Sequence, residues 1–252
     1  MLFAIDVGNT NIKFAFFNGE ELIHVYRVPT DSVESEIAGK LLEAMDSDGL
    51  KKEEVTGAII SLVVPRLLEP LMELCQIHFS VIPMFVRPGI ETGIKLIETD
   101  PYEIGADRVA DGAGALAVYG GPIIVADYGT ATKFDLFTED GSLFSAVTCP
   151  GVKLCAKTLW EGTALLPQFE IEDPGSIICR HTLPSLQAGM FYSKLGEAEC
   201  IINRLKAEYG KETKVVVTGG LGSIFYGKSP VFDYYDRDLT LTGLRVLYGK
   251  NK

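Results

Sequence analysis

Asp6-Val7-Gly8-Asn9-Thr10 closes the apolar run Leu2-Phe3-Ala4-Ile5, and Asp127-Tyr128-Gly129-Thr130-Ala131-Thr132 closes a second, Ile123-Ile124-Val125-Ala126. An acid, a glycine and short polar side chains directly after a strand are the parts of a phosphate loop. Glycine lets an oxyanion approach the backbone, and successive N–H groups, with Asn9, Thr10, Thr130 and Thr132, supply donors. Lys13 and Lys133 offset part of a triphosphate's charge. Asp6 suits the magnesium side of such a site, because Mg²⁺ keeps several waters and takes one or two protein carboxylates. A single Asp-x-Gly loop also fits a plain strand end whose acid bonds its own backbone. Its recurrence at matching positions points instead to two facing phosphate loops.

Gly105-Ala106-Asp107-Arg108 adds a carboxylate and a cation. Alone, such a pair reads as a surface ion pair of little energetic consequence. Beside phosphate loops it has the parts that phosphoryl transfer to an alcohol needs: an acceptor for the hydroxyl proton and a positive charge for an anionic acceptor molecule. Gly219-Gly220, after Val215-Val216-Val217, either lets an adenine or ribose lie against the backbone or simply turns strand into helix. His24 and His78 stand in apolar contexts and read as core or edge residues, and Trp160 is isolated.

The elements that must hold these loops follow from periodicity. After the first loop, residues 12–17 read as a strand, Asn18-Gly19 as a hairpin turn of type I′, and residues 22–28 as a third strand. Thr30-Asp31-Ser32 offers a cap to a helix carrying Val33, Ile37, Leu41, Leu42 and Met45. Residues 58–64 read as a buried strand, Pro65 opens a helix, residues 81–86 form another strand, and 104–118 a helix rich in small residues. The order restarts at Ile123, with Asp140-Gly141 as its hairpin turn, a long helix near 184–209 and a strand at 214–218. Such alternation predicts an α/β fold with mixed sheets flanked by helices. Gly120-Gly121-Pro122 marks the expected boundary between domains 1–120 and 121–252.

Composition narrows the function. The net charge of −11 over 252 residues disfavours a nucleic-acid or anionic-membrane surface. Five cysteines, odd in number and without a C-x-x-C pair, indicate reduced thiols rather than a disulfide framework or a zinc site. The chain enters a strand at once and no apolar run approaches membrane-spanning length, so a cytoplasmic protein is expected.

With these residues assembled, the chain resembles type III pantothenate kinases, members of the sugar kinase, heat-shock ATPase and actin superfamily. The carriers are Asp6 through Lys13, Gly105-Ala106-Asp107-Arg108, Asp127 through Thr132, Pro150-Gly151 and Arg180-His181-Thr182. The resemblance implies two related actin-like (ribonuclease H-like) domains with the active site in the cleft between them. It implies ATP-dependent phosphorylation of the primary hydroxyl of pantothenate to 4′-phosphopantothenate, the first step of coenzyme A biosynthesis. ATP phosphates would be held by Asp6, Val7, Gly8, Asn9, Thr10, Asn11, Ile12, Lys13 and Thr130. Pantothenate would be held by Gly105, Ala106, Asp107 and Arg108, with Asp107 as proton acceptor. A monovalent cation, potassium or ammonium, would sit near Asp127, and Mg²⁺ near Asp6. Thr182 would reach the acceptor across a homodimer interface.

The chain departs from the family pattern at four places. Glu98 stands where the family has a tyrosine, Ser145-Ala146 replaces Gly-Gly, Lys133 replaces the second threonine of a Thr-Ala-Thr-Thr run, and Cys179 replaces the glycine before Arg180. A kinase for another small hydroxylated acid, and a non-catalytic nucleotide-binding regulator of the same fold, are the alternative readings.

Overall fold

The computed structural model describes residues 1–97 and 100–252. The chain forms two compact units, Met1–Val118 together with Leu239–Lys252, and Tyr119–Asp238. The first begins with β1 (Leu2–Val7), β2 (Asn11–Asn18) and β3 (Glu21–Pro29), followed by α1 (Glu34–Ser47), β4 (Gly57–Leu62), α2 (Leu68–Glu73), β5 (Pro83–Phe85), the two-residue β6 (Lys95–Leu96) and α3 (Ala106–Tyr119). Its sheet runs β3-β2-β1-β4-β5. The strands β1, β2 and β3 pair antiparallel, while β4 and β5 join in parallel.

Alternation along β1 decides what covers each face of this sheet. Phe3, Ile5 and Val7 point to one side with Phe14 and Phe16 of β2, and α1 closes over them with Ile37, Leu41 and Met45. Phe3 and Phe16, paired in register, stack at 4.6 Å between ring centroids. The other side presents the paired Ala4 and Ala15, and α3 packs there through Ala110 and Ala113. Small residues on that face let the helix carrying Asp107 approach the sheet closely.

The second unit contains β7 (Ile123–Tyr128), β8 (Ala131–Phe137), β9 (Ser142–Pro150), α4 (Val152–Glu161), α5 (Thr182–Tyr209), β10 (Lys214–Thr218), α6 (Gly222–Phe225) and β11 (Tyr234–Tyr235). Its strands run β11-β10-β7-β8-β9, with β7, β8 and β9 antiparallel and β10 and β11 parallel. Reversed, this is the order of the first sheet, strand for strand. The internal echo of the two Asp-x-Gly loops therefore extends to the whole sheet topology. Ile124, Ala126, Phe134 and Leu136 pack under Phe191, Leu195, Ala198 and Ile202 of α5.

The closing helix α7 (Leu239–Lys250) belongs to the first unit, not to the second as a 121–252 domain would have it. Leu241, Leu244 and Leu247 bury themselves on the small-residue face beside α3. Two glycines make the contact. A Cβ on Gly243 would collide with the Ala110 carbonyl, and one on Gly114 would lie 2.7 Å from the Leu239 carbonyl oxygen. A pattern that reads as one more amphipathic helix does not reveal which sheet it will cover.

Local expectations are corrected at three points. The turns are not type I′: Gly19 has φ of 61° and Gly141 83°, but no neighbouring residue shares a positive φ. Asn18 ends β2, so the two-residue connection is Gly19-Glu20, with glycine first. Neither Thr30, Asp31 nor Ser32 caps α1, which starts after Val33 without a side-chain cap and relies on Glu34 and Glu36 in its first turn. The strand expected over 81–86 is limited to Pro83–Phe85.

Candidate functional site

In the first unit the loop after β1 leaves its polar residues to solvent. Asn9, Thr10 and Asn11 are exposed, and the Gly8 N–H donates to the Asn11 carbonyl at 3.1 Å. Val7 and Ile12, included in the phosphate-binding segment by resemblance, bury their side chains completely and offer only backbone groups to a ligand. Asp6 and Lys13 face each other in the β1/β2 register and form an ion pair at 3.1 Å. On the other side of Asp6, in the β1/β4 register, stands Ser61, whose buried Oγ has no hydrogen-bond partner among the described residues. Thr30, which had suggested a helix cap, braces this loop instead: its hydroxyl donates to the Gly8 carbonyl at 2.7 Å and its N–H to the Thr10 carbonyl at 3.0 Å.

Asp107 lies in the first turn of α3, where helix N–H groups favour a carboxylate. Its Oδ1 accepts the Arg108 N–H at 2.9 Å and lies against Gly105, where a Cβ would clash with it. One turn later, the buried Asp111 accepts the Thr240 hydroxyl at 2.6 Å, tying α3 to α7. The sequence signal for Asp111 is an acid inside an otherwise small and apolar stretch. Beside this helix start is a cavity of about 580 Å³ reaching Gly105 and Ala106. Val86, Ile90 and Val109 give it apolar walls, and its lining carries the Arg87 guanidinium and the Glu103 carboxylate. The volume falls in the range of about 300–1,000 Å³ usual for small-molecule sites. Glu98 lies outside the described residues.

The second unit repeats the first loop with differences. Asp127 and Lys133 face each other in the β7/β8 register and form an ion pair at 2.9 Å. The Gly129 N–H donates to the Ala131 carbonyl at 3.2 Å, and Thr130 is exposed at the tip. Gly219, with φ of 88°, has no room for a side chain because a Cβ would strike the Asp127 carboxylate and the Tyr128 backbone. Its role here is to let the strand end pass Asp127, whereas Gly220 faces open space.

Gly151 is equally constrained, with the Thr130 carbonyl where its Cβ would be. Behind it, Lys194 of α5 is buried and donates to the Pro150 carbonyl at 2.7 Å and to the Glu197 carboxylate at 3.0 and 3.1 Å. Lys194 escaped the sequence reading because a lysine in a long helix normally marks the solvated face.

Each cluster is therefore assembled within its own unit: Asp6 with Lys13, Gly105 with Asp107 and Arg108, Asp127 with Lys133. Thr182 is exposed at the first position of α5 in the second unit, so nothing within the first unit brings it to the Gly105–Arg108 segment. Among the described residues no group of three or more acidic, histidine or cysteine side chains is arranged to hold a metal ion. No helix among them is long and apolar enough to cross a membrane.

The sequence pattern of the type III pantothenate kinase family matches residues 2–204. A protein of Agathobacter rectalis named type III pantothenate kinase is 40% identical over 253 aligned residues, spanning 99% of this chain and 97% of its own length. One of the same name from Geobacillus sp. (strain WCH70) is 38% identical over 100% of this chain and 98% of its own. Among solved structures, the activator of the 2-hydroxyisocaproyl-CoA dehydratase from Clostridium difficile, with bound ADPNP, superimposes with a TM-score of 0.54. That alignment covers 98% of this chain and 93% of the activator at 13% identity, a likeness of fold alone.

Proposed function

The chain belongs to the type III pantothenate kinase family, and we propose that it transfers the γ-phosphoryl group of ATP to the primary hydroxyl of pantothenate, with Asp107 accepting the hydroxyl proton. The observation that carries this reading is the placement of Asp107: a carboxylate at a helix start, immediately after the two residues that line an apolar cavity with a cation in its wall. Pantothenate has a matching chemistry, with a gem-dimethyl group for Val86, Ile90 and Val109 and a carboxylate for Arg87 or Arg108.

In the transfer, the hydroxyl oxygen forms a bond to the γ-phosphorus, the bond from that phosphorus to the β-phosphate oxygen breaks, and ADP leaves. The hydroxyl proton passes to the Asp107 carboxylate. Charge developing on the transferred group needs donors already in place, and the exposed residues Asn9, Thr10, Asn11 and Thr130 suit that need. The bonds from Thr30 to Gly8 and Thr10 hold the first of these loops in shape.

Magnesium fits the residues around Asp6. A hard cation arriving with ATP needs one carboxylate and neighbouring oxygens, and Asp6 beside the unpaired Ser61 hydroxyl offers both. Bound there, Mg²⁺ would offset phosphate charge, freeing Lys13 to turn from Asp6 toward the triphosphate. A monovalent cation at Asp127 does not fit equally well, since the Lys133 ammonium already contacts that carboxylate.

By resemblance Thr182 would serve the acceptor site of a second copy, and exposed apolar side chains favour such a homodimer. Near Thr182 in sequence, Ile177, Ile178 and Leu183 are 68%, 79% and 45% exposed, apolar surface that a second copy would cover. Light scattering of the purified protein tests this; an active monomer would remove Thr182 from the site.

Activity is tested by ATP-dependent formation of 4′-phosphopantothenate alongside a panel of other hydroxy acids. Product from pantothenate supports the reading. Product from another acid, with pantothenate inert, would replace the substrate, and nucleotide binding without any turnover would favour the regulatory alternative.

A further inference from the structure

Asp6 with Lys13 and Asp127 with Lys133 are the same device built twice. In each unit the acid ends the first strand, the lysine stands directly opposite it on the second, and a short glycine loop joins the two. The second pair is the tighter, at 2.9 Å against 3.1 Å, and its lysine side chain is 11% exposed against 22% for Lys13. At 2.9 Å the ammonium and carboxylate are in charge-assisted hydrogen-bond contact, which strengthens as water is excluded.

The Asp127 side chain, 16% exposed, has further close neighbours. Gly219 passes against Oδ1, Gly129 borders both oxygens, and Lys133 takes Oδ2. Asp135, two residues beyond Lys133 on the same face of β8, is 1% exposed. Lys133 thus supplies positive charge to a face of the sheet that carries two acids. A potassium or ammonium ion entering here would have to displace from Asp127 an ammonium of equal charge, gaining no Coulomb energy in the exchange.

We propose that Lys133 is the resident counter-charge of Asp127, replacing a monovalent cation, so that nucleotide binding proceeds without potassium or ammonium. The proposal rests on the kinase reading for its ligand, ATP or ADP, and concerns the residue that stands where the family pattern has a threonine. Lys133 is a positioning residue. It keeps Asp127 neutralised and the Gly129-Thr130 loop in shape without needing an ion from solution.

Isothermal titration with Mg²⁺-ADP tests it, using the full-length protein in tetramethylammonium buffer and then in potassium or ammonium at the same ionic strength. Wild-type affinity is expected to agree between buffers within about twofold. Lys133→Thr, which leaves space and a hydroxyl, is expected to lose about tenfold in tetramethylammonium and to recover in potassium. Lys133→Met fills the space without charge, and its loss should not be recovered by either ion. Thermal melts followed by circular dichroism confirm that both variants fold.

A wild-type protein that gains about tenfold in ADP affinity from potassium would overturn the proposal while leaving the kinase reading intact. So would a Lys133→Thr variant with the same affinity in every buffer. Absence of ADP binding in all buffers would instead overturn the nucleotide reading, and this proposal with it.

Discussion

Replacing Lys194 with methionine keeps the volume of the side chain and removes its charge, which isolates what the ammonium does. Lys194 is 7% exposed at its side chain and bonds the Pro150 carbonyl at 2.7 Å and both oxygens of Glu197 at about 3 Å. Hydrogen bonds to charged groups contribute about 1.5–3 kcal/mol each, and removing one partner of a fully buried ion pair costs about 3–5 kcal/mol. The Glu197 side chain is 25% exposed and so retains some hydration, which puts the expected loss near the lower of these figures. A destabilisation of about 2 kcal/mol corresponds to a fall in Tm of about 4–8 °C for a chain of this size.

The consequence reaches the Gly129-Thr130 loop, proposed to hold nucleotide, because Pro150 pairs with Ala131 and Gly151 lies against the Thr130 carbonyl. Lys194→Met should therefore weaken ATP binding as well as lower Tm, while leaving pantothenate affinity unchanged. Calorimetric unfolding and nucleotide titration read the two effects. Adding Glu197→Gln removes the acid left behind and should recover about 1 kcal/mol relative to simple additivity. A single variant within about 0.5 kcal/mol of wild type, with an additive double variant, would refute the argument.

Gly243→Ala forces a methyl group into the Ala110 carbonyl at the α3/α7 crossing and should cost about 1–3 kcal/mol in denaturant unfolding, with turnover reduced because α3 carries Asp107; wild-type stability would contradict the tight crossing. Burial pushes the Asp236 carboxyl above its ordinary range, with the Asp238 N–H and Tyr119 hydroxyl opposing the shift. Well below about pH 4 both native and unfolded Asp236 are protonated; as pH rises the unfolded chain ionises first, so native stability falls until pH passes the raised native value. Asp236→Asn should therefore gain stability relative to wild type as pH climbs from about 4 toward neutrality, and a pH-independent difference would contradict the shift.

The sequence made the loops and most strands legible because each rests on a local cause: an apolar run, a glycine, an acid at the strand end. It also disclosed that two halves repeat, which the matching strand orders of the two units' sheets bear out. The destination of α7 was hidden, since its leucines would suit either sheet and the deciding contact, Gly114 against Gly243, joins distant parts of the chain. Thr30 and Lys194 were hidden for a related reason. A threonine before a helix and a lysine within one have common local uses, and only tertiary packing shows that these two brace the backbone at Gly8 and Pro150. Lys133 was visible as a departure from the family pattern, but its meaning required the register that sets it opposite Asp127.

The central claim is that Asp107 takes the proton of an acceptor hydroxyl. The most direct measurement is the rate of 4′-phosphopantothenate formation by wild type and Asp107→Asn under saturating ATP and pantothenate. Asparagine can still accept the Arg108 N–H, so the helix start should persist. The account predicts unchanged ATP affinity and a kcat lower by about 10²- to 10⁴-fold. An asparagine variant that turns over at the wild-type rate would contradict it.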